Sequence, residues 1–318
     1  MVKPILILAY NRPVQLRGLV DSLRPFKPPR ILIAIDGPKQ NSSDVKLVDS
    51  VISECKRIDW TLDVSYRIRE RNLGLRAAVT DAVSWAIKEC GEIIVLEDDV
   101  RVGPDFLPFM SYALDKYRND LSIGHISGYN AVPVKDLEFP ENRYRVSNYP
   151  ESYAWATWAR AWILYQDDLS WAKNLGTKGL SHISGSRIGG IVWLINFSDA
   201  SNGFIQTWAY RWVASLWKNN LRCISPNRNL VEYVSGATGT HTRSKPSWNE
   251  LAVSRIMHLQ SPSQTGQDFQ ADQFLLKKVY RGTWRGAVRR ILESLGLRFL
   301  FWIDMRKKGK ENFLLKRK

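Results

Sequence analysis

The sequence predicts an α/β fold built on a parallel, doubly wound sheet. In the first half of the chain, short apolar segments that suit buried strands alternate with segments whose apolar residues recur at helical spacing. The segments 5–9, 31–35 and 93–96 are strands of this kind, and each ends directly in a polar or acidic turn. Such alternation favours parallel strands joined by right-handed crossovers.

The other elements follow in order along the chain. Leu16, Leu19, Val20 and Leu23 give the first helix an apolar face. Pro104 suits the first turn of a later helix, because a proline there loses no helical hydrogen bond. We predict helices at about 15–23, 44–56, 72–90, 104–117 and 206–218, and further strands at about 62–67 and 123–127.

Three consecutive acids, Glu97, Asp98 and Asp99, end the apolar strand 93–96. Carboxylates crowded at the end of a core strand repel one another, so a cation normally bound there explains the arrangement best. Oxygen ligands favour Mg²⁺ or Mn²⁺ over zinc. A solvated acidic turn is the alternative interpretation.

Polar residues that follow the strands should meet at one edge of the sheet, because ligands of open α/β sheets bind at the carboxyl ends of strands. This rule selects the segment after the first strand, the acid after the second, the turn that opens the third helix, and the acid triplet. A single glycine makes that turn a weak phosphate-binding signal by itself. The predicted crevice residues are Tyr10, Asn11, Arg12, Asp36, Asn72, Gly74, Asp98 and Asp99.

Composition indicates a globular protein, with 44% hydrophobic residues and a formal net charge of +15. No apolar run is long enough to span a bilayer or to form a signal peptide, so we expect a cytoplasmic protein. Residues 277–318 hold fourteen Lys and Arg against three acids, a net +11, which leaves only +4 on the rest. The charge therefore belongs mainly to a tail, and a nucleic-acid binder is disfavoured.

Aromatic residues dominate the second half, where nine of the thirteen tryptophans lie between Trp155 and Trp248. Most of them should pack in the core. We expect Trp155 and Trp208, at the edges of their segments, to form a platform for the apolar face of a sugar. The small-residue segment 236–242 contains His241, which could close over a metal–diphosphate site as an additional metal contact or could be structural.

These motifs together resemble the nucleotide-sugar glycosyltransferases of the GT-A fold. The motif Glu97-Asp98-Asp99 followed by Pro104-Asp105-Phe106 is similar to bacterial relatives of N-acetylglucosaminyltransferase I, and the tryptophan segments resemble bacterial sugar transferases of family two. The resemblance implies a GT-A domain over residues 1–250, with a nucleotide-binding half at 1–130 and an acceptor-binding half at 131–250. Residues 251–318 would be a basic amphipathic extension.

The resemblance also implies roles for single residues. Asp99 would bind Mn²⁺ or Mg²⁺, Asp98 would contact the ribose or a metal-bound water, Asp36 would accept a hydrogen bond from the base, and Arg12 would lie near the phosphates. The donor would be a UDP-, GDP- or dTDP-sugar. The acceptor would be a saccharide or a lipid-linked saccharide, as in bacterial surface polysaccharide synthesis. A nucleotidyltransferase acting on sugar phosphates is the runner-up.

Position 209 departs from this family pattern. Inverting transfer needs a carboxylate base, which the similar enzymes place directly after the first tryptophan of a Trp-Asp-x-x-Trp motif, whereas this chain has Ala209 after Trp208. The chain could be an engineered Asp-to-Ala variant, which is the simplest history. It could also be a naturally weakened or catalytically dead relative, or Asp199 or Glu232 could be the base.

The C-terminal segment has the pattern of a helix that lies on an anionic membrane. From Trp284 onward, apolar residues recur at helical spacing with arginines between them, and a basic cluster at 306–308 follows. A final helix docked on the body, with a basic end, is the alternative. The membrane interpretation implies a peripheral location on the inner face of the cell membrane.

Overall fold

A computed structural model describes residues 2–140, 144–234, 251–254 and 266–294. Within these ranges the chain forms two compact units. The first is formed by the described residues of Met1–Asp167 and Gln206–Leu275, and the second by those of Asp168–Ile205 and Leu276–Lys318. The predicted boundaries at 130 and 250 divide the chain differently and stay a prediction. The predictions for His241 and for the basic cluster at 306–308 lie outside the described residues.

The first unit is built on an eight-stranded sheet with the order β3-β2-β1-β4-β8-β6-β9-β7. The first four strands are parallel neighbours, β6 is parallel to β9, and β8 runs antiparallel to both β4 and β6. A short antiparallel pair, β5 and β10, stands beside this sheet. The strands are β1 Ile5–Ala9, β2 Arg30–Ile35, β3 Asp63–Ile68, β4 Glu92–Glu97, β5 Val100–Val102, β6 Ile123–Ser127, β7 Tyr144–Ser147, β8 Ala154–Trp158, β9 Arg222–Pro226 and β10 Val231–Tyr233.

Helices connect the strands as the periodicity predicts. Each parallel crossover between β1 and β4 contains one helix, and each helix turns its apolar residues inward. The prediction of a mostly parallel α/β sheet flanked by helices is confirmed. The helices are α1 Pro13–Leu23, α2 Ser42–Cys55, α3 Leu75–Cys90, α4 Phe106–Lys116, α5 Ala159–Trp162, α6 Ser170–Ser184, α7 Arg187–Ser201, α8 Ala209–Lys218, α9 Phe269–Phe274 and α10 Trp284–Ser294.

Burial explains why strand β4 can place acids at its end. Every residue of β1 is buried, and β4 is buried from Glu92 to Leu96, so the sheet is covered on both faces at its centre. Each Å² of apolar surface removed from water stabilises the fold by about 25 cal/mol, and this burial holds the central strands in register. The ends of the strands are therefore fixed points for the polar residues that follow.

The second unit contains α6, α7 and α10. Gly176 adopts a φ of 64° and breaks α6 into two parts, while the Ser186 hydroxyl caps α7 by accepting from the Gly189 N–H at 3.2 Å. Helix α10 packs against α7 and buries Ala287, but it exposes Trp284 and Val288 on its outer side. Among the described helices, none is long and apolar enough to cross a membrane.

Candidate active site

The strand order brings the predicted polar residues to one edge of the sheet. Asp36 follows β2, Tyr10 and Arg12 follow β1, and Asp98 and Asp99 follow β4, and these three strands are neighbours in the order β2-β1-β4. Since the strands are parallel, their carboxyl ends lie side by side about 4.8 Å apart. The topology thus assembles one site from segments that are distant in the sequence.

A cavity of about 250 Å³ occupies this edge. Six predicted residues line it, namely Tyr10, Arg12, Asp36, Asn72, Gly74 and Asp98. The lining also contains Glu97 of the acid triplet, and it contains Lys39, Arg69 and Leu75, which the sequence analysis did not select. Arg69 directly follows β3, so the strand-end rule could have found it. Lys39 lies in the loop after Asp36, and nothing in its local sequence distinguishes it from a surface lysine.

The Arg12 guanidinium bridges both aspartates. Its Nη1 donates to Asp99 Oδ2, and its Nη2 lies 3.2 Å from Asp98 Oδ1. The Tyr10 backbone N–H donates to Asp98 Oδ2 at 3.3 Å. The Oδ1 atoms of Asp98 and Asp99 are nevertheless buried without a hydrogen bond, since the Nη2 contact is an ion pair that lacks hydrogen-bond geometry. One arginine therefore leaves the two carboxylates incompletely satisfied.

Burial and the repulsion of neighbouring carboxylates raise the pKa values of Asp98 and Glu97. Burial raises the pKa of Asp98 to about 7; Arg12 opposes this shift, and Asp99 adds to it. The pKa of Glu97 is also raised, first by burial and then by Asp99, while Arg12 acts against the rise. Charged forms cost free energy here because water is largely excluded. Additional positive charge at this position would relieve that cost.

Asp36 organises the turn that opens α3. Its Oδ1 accepts from the backbone N–H groups of Gly37 (3.0 Å) and Leu73 (2.9 Å), and its Oδ2 accepts from Asn72 Nδ2 (3.0 Å) and the Gly74 N–H (3.2 Å). A carboxylate offers about four acceptor positions, and all of them are taken. The hydrogen bond to a base that the family pattern implies would have to replace one of these contacts.

Asp44 joins the loops after β1 and β2. The Tyr10 hydroxyl, Asn11 Nδ2 and the Lys39 backbone N–H all donate to its carboxylate, at 2.5, 2.7 and 2.6 Å. Burial acts to raise the pKa of Asp44, but these hydrogen bonds outweigh it, and the pKa lies below its usual value. Asn11 is thereby turned to Asp44 and does not line the cavity, so its predicted contact with a nucleotide has no support in this geometry.

The predicted sugar platform of Trp155 and Trp208 needs correction. Trp155 is the second residue of β8 and is fully buried, and Trp208 is 2% exposed. Their rings stack on each other at 5.2 Å within a core that also contains Trp162 and Trp212. Neither ring offers a face to a sugar, because both are covered by the surrounding core. The sequence did not show this, since a residue's position in its own segment does not reveal which other segments will cover it. Trp158 ends β8 and is buried, as expected for a tryptophan of the core.

Position 209 and the two alternative candidates for the general base, Asp199 and Glu232, lie on three different elements. Ala209 is the first residue of α8, and its backbone N–H donates to Thr207 Oγ1 at 3.2 Å. Glu232 lies in β10 opposite Arg101 of β5 with an exposed side chain, whereas Asp199 belongs to α7 in the second unit. The chain leaves the described residues at Val234, whose N–H donates to the Asp99 carbonyl oxygen at 2.7 Å, seven positions before His241.

Comparison with protein families identifies the site region. Residues 5–160 match the family described as Glycosyl transferase family 2. This chain contains a glycosyl transferase family 2 domain. The match spans β1 to the start of α5 and so includes every cavity-lining residue. It confirms the predicted family-two transferase domain and its GT-A-like fold, while the finer resemblance to N-acetylglucosaminyltransferase I stays a prediction. No match was found among curated proteins.

Solved structures show distant likenesses to this chain. HddC from Yersinia pseudotuberculosis is 16% identical, with 52% of this chain and 80% of that chain covered and a TM-score of 0.34. The mannosyltransferase PcManGT from Pyrobaculum calidifontis, in complex with GDP-Man and Mn²⁺, is 11% identical, with 67% and 73% covered and a TM-score of 0.35. Mannose-1-phosphate geranyltransferase from Thermus thermophilus is 13% identical, with 70% and 74% covered and a TM-score of 0.32. At these TM-scores the likenesses carry no argument about activity.

Replacing Asp36 with alanine should loosen the turn at the start of α3. The backbone N–H groups of Leu73 and Gly74 would lose their acceptor, and a hydrogen bond of this kind contributes about 1 kcal/mol. We expect both amides to exchange with deuterium about fivefold faster, measured by NMR. Asp49→Ala, on the exposed side of α2, is the matched control. Unchanged protection of the two amides in Asp36→Ala would show that the turn is held by other contacts.

Proposed function

We propose that this chain is an inverting, metal-dependent glycosyltransferase. It takes a sugar from a UDP-, GDP- or dTDP-linked donor and transfers it to a saccharide or lipid-linked saccharide, as in bacterial surface polysaccharide synthesis. The observation that supports this most is the contact of Arg12 with the buried Asp98 and Asp99 in a glycosyl transferase family 2 domain; Arg12 and Asp98 line the cavity, and Asp99 directly follows Asp98 in the chain. A diphosphate is bound through positive charge, and Arg12 together with a divalent ion at the aspartates would supply that charge.

The cavity suits a nucleoside diphosphate in one orientation. The turn held by Asp36 presents Asn72 and Gly74 at the β2 side, and Lys39 and Arg69 add positive charge to the wall. Arg12 lies at the other side, over the acids. We infer that the nucleoside lies along the turn and that Arg12 donates to the phosphates, because a guanidinium offers paired donors that match phosphate oxygens.

The residues fit a divalent ion. Asp98 and Asp99 together present two buried carboxylate oxygens that accept no hydrogen bond, and oxygen donors are the ligands of Mn²⁺ and Mg²⁺. In the described parts of the chain, no cluster of three or more His, Cys, Asp and Glu side chains has metal-site geometry. We propose that Asp99 holds the ion as its main protein ligand and that His241 is an additional ligand. Phosphate oxygens of the donor would complete the coordination. A bound divalent ion supplies positive charge to the leaving diphosphate.

Calorimetry with UDP, GDP and dTDP, each with and without Mn²⁺, tests the proposal. We expect one nucleotide to bind at least about tenfold more tightly with Mn²⁺, because the ion screens the diphosphate from the acids. Asp99→Ala should abolish this metal dependence, and Asp49→Ala should retain it. Failure of all three nucleotides to bind, or metal-dependent binding that persists in Asp99→Ala, would contradict the proposal.

Position 209, where this chain has alanine, is proposed to be the place of the general base in enzymes of this pattern. A base there would take the proton of the acceptor hydroxyl as that oxygen attacks the anomeric carbon opposite the diphosphate. The first position of α8 favours a carboxylate, because the positive end of the helix dipole stabilises negative charge. Asp199 lies in the second unit, and Glu232 is paired with Arg101 across β10 and β5. Neither observation favours Asp199 or Glu232 as the general base.

Ala209→Asp should raise transfer by at least about a hundredfold, since a general base contributes about 10²- to 10⁴-fold. Nucleotide affinity should change little, because a base contacts the acceptor and not the diphosphate. The measurement is transfer from the donor class that calorimetry identifies. Ala209→Asn is the matched control, because asparagine has the shape of aspartate but cannot act as a general base. Equal rates for the alanine, asparagine and aspartate forms would place the base elsewhere.

An anionic membrane surface is proposed as a further partner, through α10. Trp284 and Val288, one helical turn apart, are exposed, and the exposed Arg285 and Arg289 flank them. Because Ala287 is buried, the helix is docked on its own unit and presents this basic, apolar side outward. Each basic residue near anionic lipid contributes about 1 kcal/mol.

Vesicle flotation tests the membrane partner. The double variant Trp284→Ser, Val288→Ser keeps the buried side of α10 intact and should bind phosphatidylglycerol vesicles at least about tenfold more weakly, because apolar burial and basic charge act together. Removal of residues 295–318 should weaken binding further through lost charge. Phosphatidylcholine vesicles and the variant Val253→Ser, which changes an exposed valine of the first unit, are controls. Equal flotation of all forms would reject this partner.

A further inference from the structure

A cluster of three tyrosines, Tyr129, Tyr153 and Tyr233, lies beside the acids and has no role in the site so far. The rings of Tyr153 and Tyr129 meet edge to face at 5.1 Å, and those of Tyr153 and Tyr233 lie 5.2 Å apart. Tyr129 is buried, but Tyr153 and Tyr233 are only half-buried. The cluster therefore has a packed base and two rings that reach the surface.

Two strand pairings place the cluster next to the acids. In the antiparallel pair of β4 and β8, Leu96 lies opposite Ala154, so Tyr153, one position earlier, stands beside Glu97. In the pair of β5 and β10, Tyr233 lies opposite Val100, the residue after Asp99. The pKa of Tyr153 is raised by burial, then by Tyr233, Glu97 and Asp99, which agrees with this proximity.

The order of the strands gives the site a direction. Across the edge of the sheet, Asp36 follows β2, Arg12 follows β1, Asp98 and Asp99 follow β4, and Tyr153 precedes β8. Because β8 is antiparallel to β4, its start lies at the same edge as the ends of the others. From β2 to β8 there are three strand spacings, or roughly 14 Å.

A nucleotide sugar has the same linear order, with the base and the sugar at opposite ends of the diphosphate. If the nucleoside lies along the turn held by Asp36 and the diphosphate lies at Arg12, the sugar must continue past the acids toward β8. The surface that it meets there is the half-buried pair of Tyr153 and Tyr233. An aromatic face suits the C–H side of a hexose, and the phenolic hydroxyls can bond its hydroxyl groups.

We propose that Tyr153 and Tyr233 form the wall that binds the sugar of the nucleotide donor, with Tyr129 as its packed support. The inference rests on the proposed function, since it takes the position of the diphosphate from it. It also replaces the buried Trp155 and Trp208, which cannot offer a face to a sugar. The residue after Tyr233 is Val234, whose N–H donates to the Asp99 carbonyl oxygen. The proposed sugar and metal sites would therefore be held by the same backbone contact.

The test compares each nucleoside diphosphate with its hexose derivative by calorimetry on the full chain with Mn²⁺. The probes are UDP, GDP and dTDP, and UDP-glucose, UDP-N-acetylglucosamine, GDP-mannose and dTDP-glucose. We expect one hexose derivative to bind at least about tenfold more tightly than its nucleoside diphosphate, because the sugar adds contacts of its own. Tyr233→Leu should lose this gain, whereas affinity for the nucleoside diphosphate should change less than about twofold.

Further variants separate the ring from the fold. Tyr233→Phe retains the aromatic face and should keep most of the gain in affinity from the hexose. Because Phe and Leu both fill most of the space of the ring, their comparison separates loss of the aromatic face from loss of packing. Tyr66→Ala, an exposed tyrosine of β3, is the control. A nucleotide that binds without any gain from its hexose, or a gain that survives in Tyr233→Leu, overturns the sugar wall alone. Absence of binding by every nucleotide overturns the proposed function instead.

Discussion

The contact of Arg12 with Asp98 and Asp99 is the interaction on which the site depends. A buried strand of the sheet delivers three acids to one point, and a single guanidinium compensates two of them. Breaking a buried pair by removing one partner typically costs about 3–5 kcal/mol, because the other charge stays desolvated. An incoming diphosphate would draw Arg12 toward its own oxygens and leave the aspartates uncompensated. Diphosphate binding and cation binding at these acids should therefore favour each other.

The first half of the fold could be predicted because its strands are continuous apolar runs that only a two-faced buried sheet accommodates. Strand β6 was predicted with the bounds that the structure shows, and β1 likewise. The second half resisted prediction because β8 reads Ala-Trp-Ala-Thr-Trp, a sequence that gives no strand periodicity, and it is covered on both faces by distant segments. Its insertion between β4 and β6 is a non-local pairing, which local sequence does not encode.

The residues of the candidate site also fall into those that local sequence could predict and those that depend on non-local pairing. Residues that directly follow parallel strands, such as Arg12, Asp36 and Asp98, could be predicted because topology alone brings strand ends together. Trp155 was misjudged because exposure depends on the covering layer, which includes Trp208 from a distant segment of the chain. Tyr233 could not be selected at all, since it reaches the acids only through the pairing of β10 with β5.

Hydrogen-bond satisfaction separates the buried acids into two kinds. Asp36 and Asp44 are buried, as Asp98 and Asp99 are, yet donors of the surrounding loops occupy their oxygens, so each acts as an internal support for the loop it holds. Asp98 and Asp99 each keep one oxygen that accepts no hydrogen bond, although Arg12 and the Tyr10 N–H contact these carboxylates. Asp81 and Glu92 also have a buried oxygen that accepts no hydrogen bond, but among the described residues Asp98 and Asp99 are the pair of such carboxylates that are adjacent in the chain. The cation proposed for this position would therefore leave the hydrogen bonds of Asp36 and Asp44 to their loops intact.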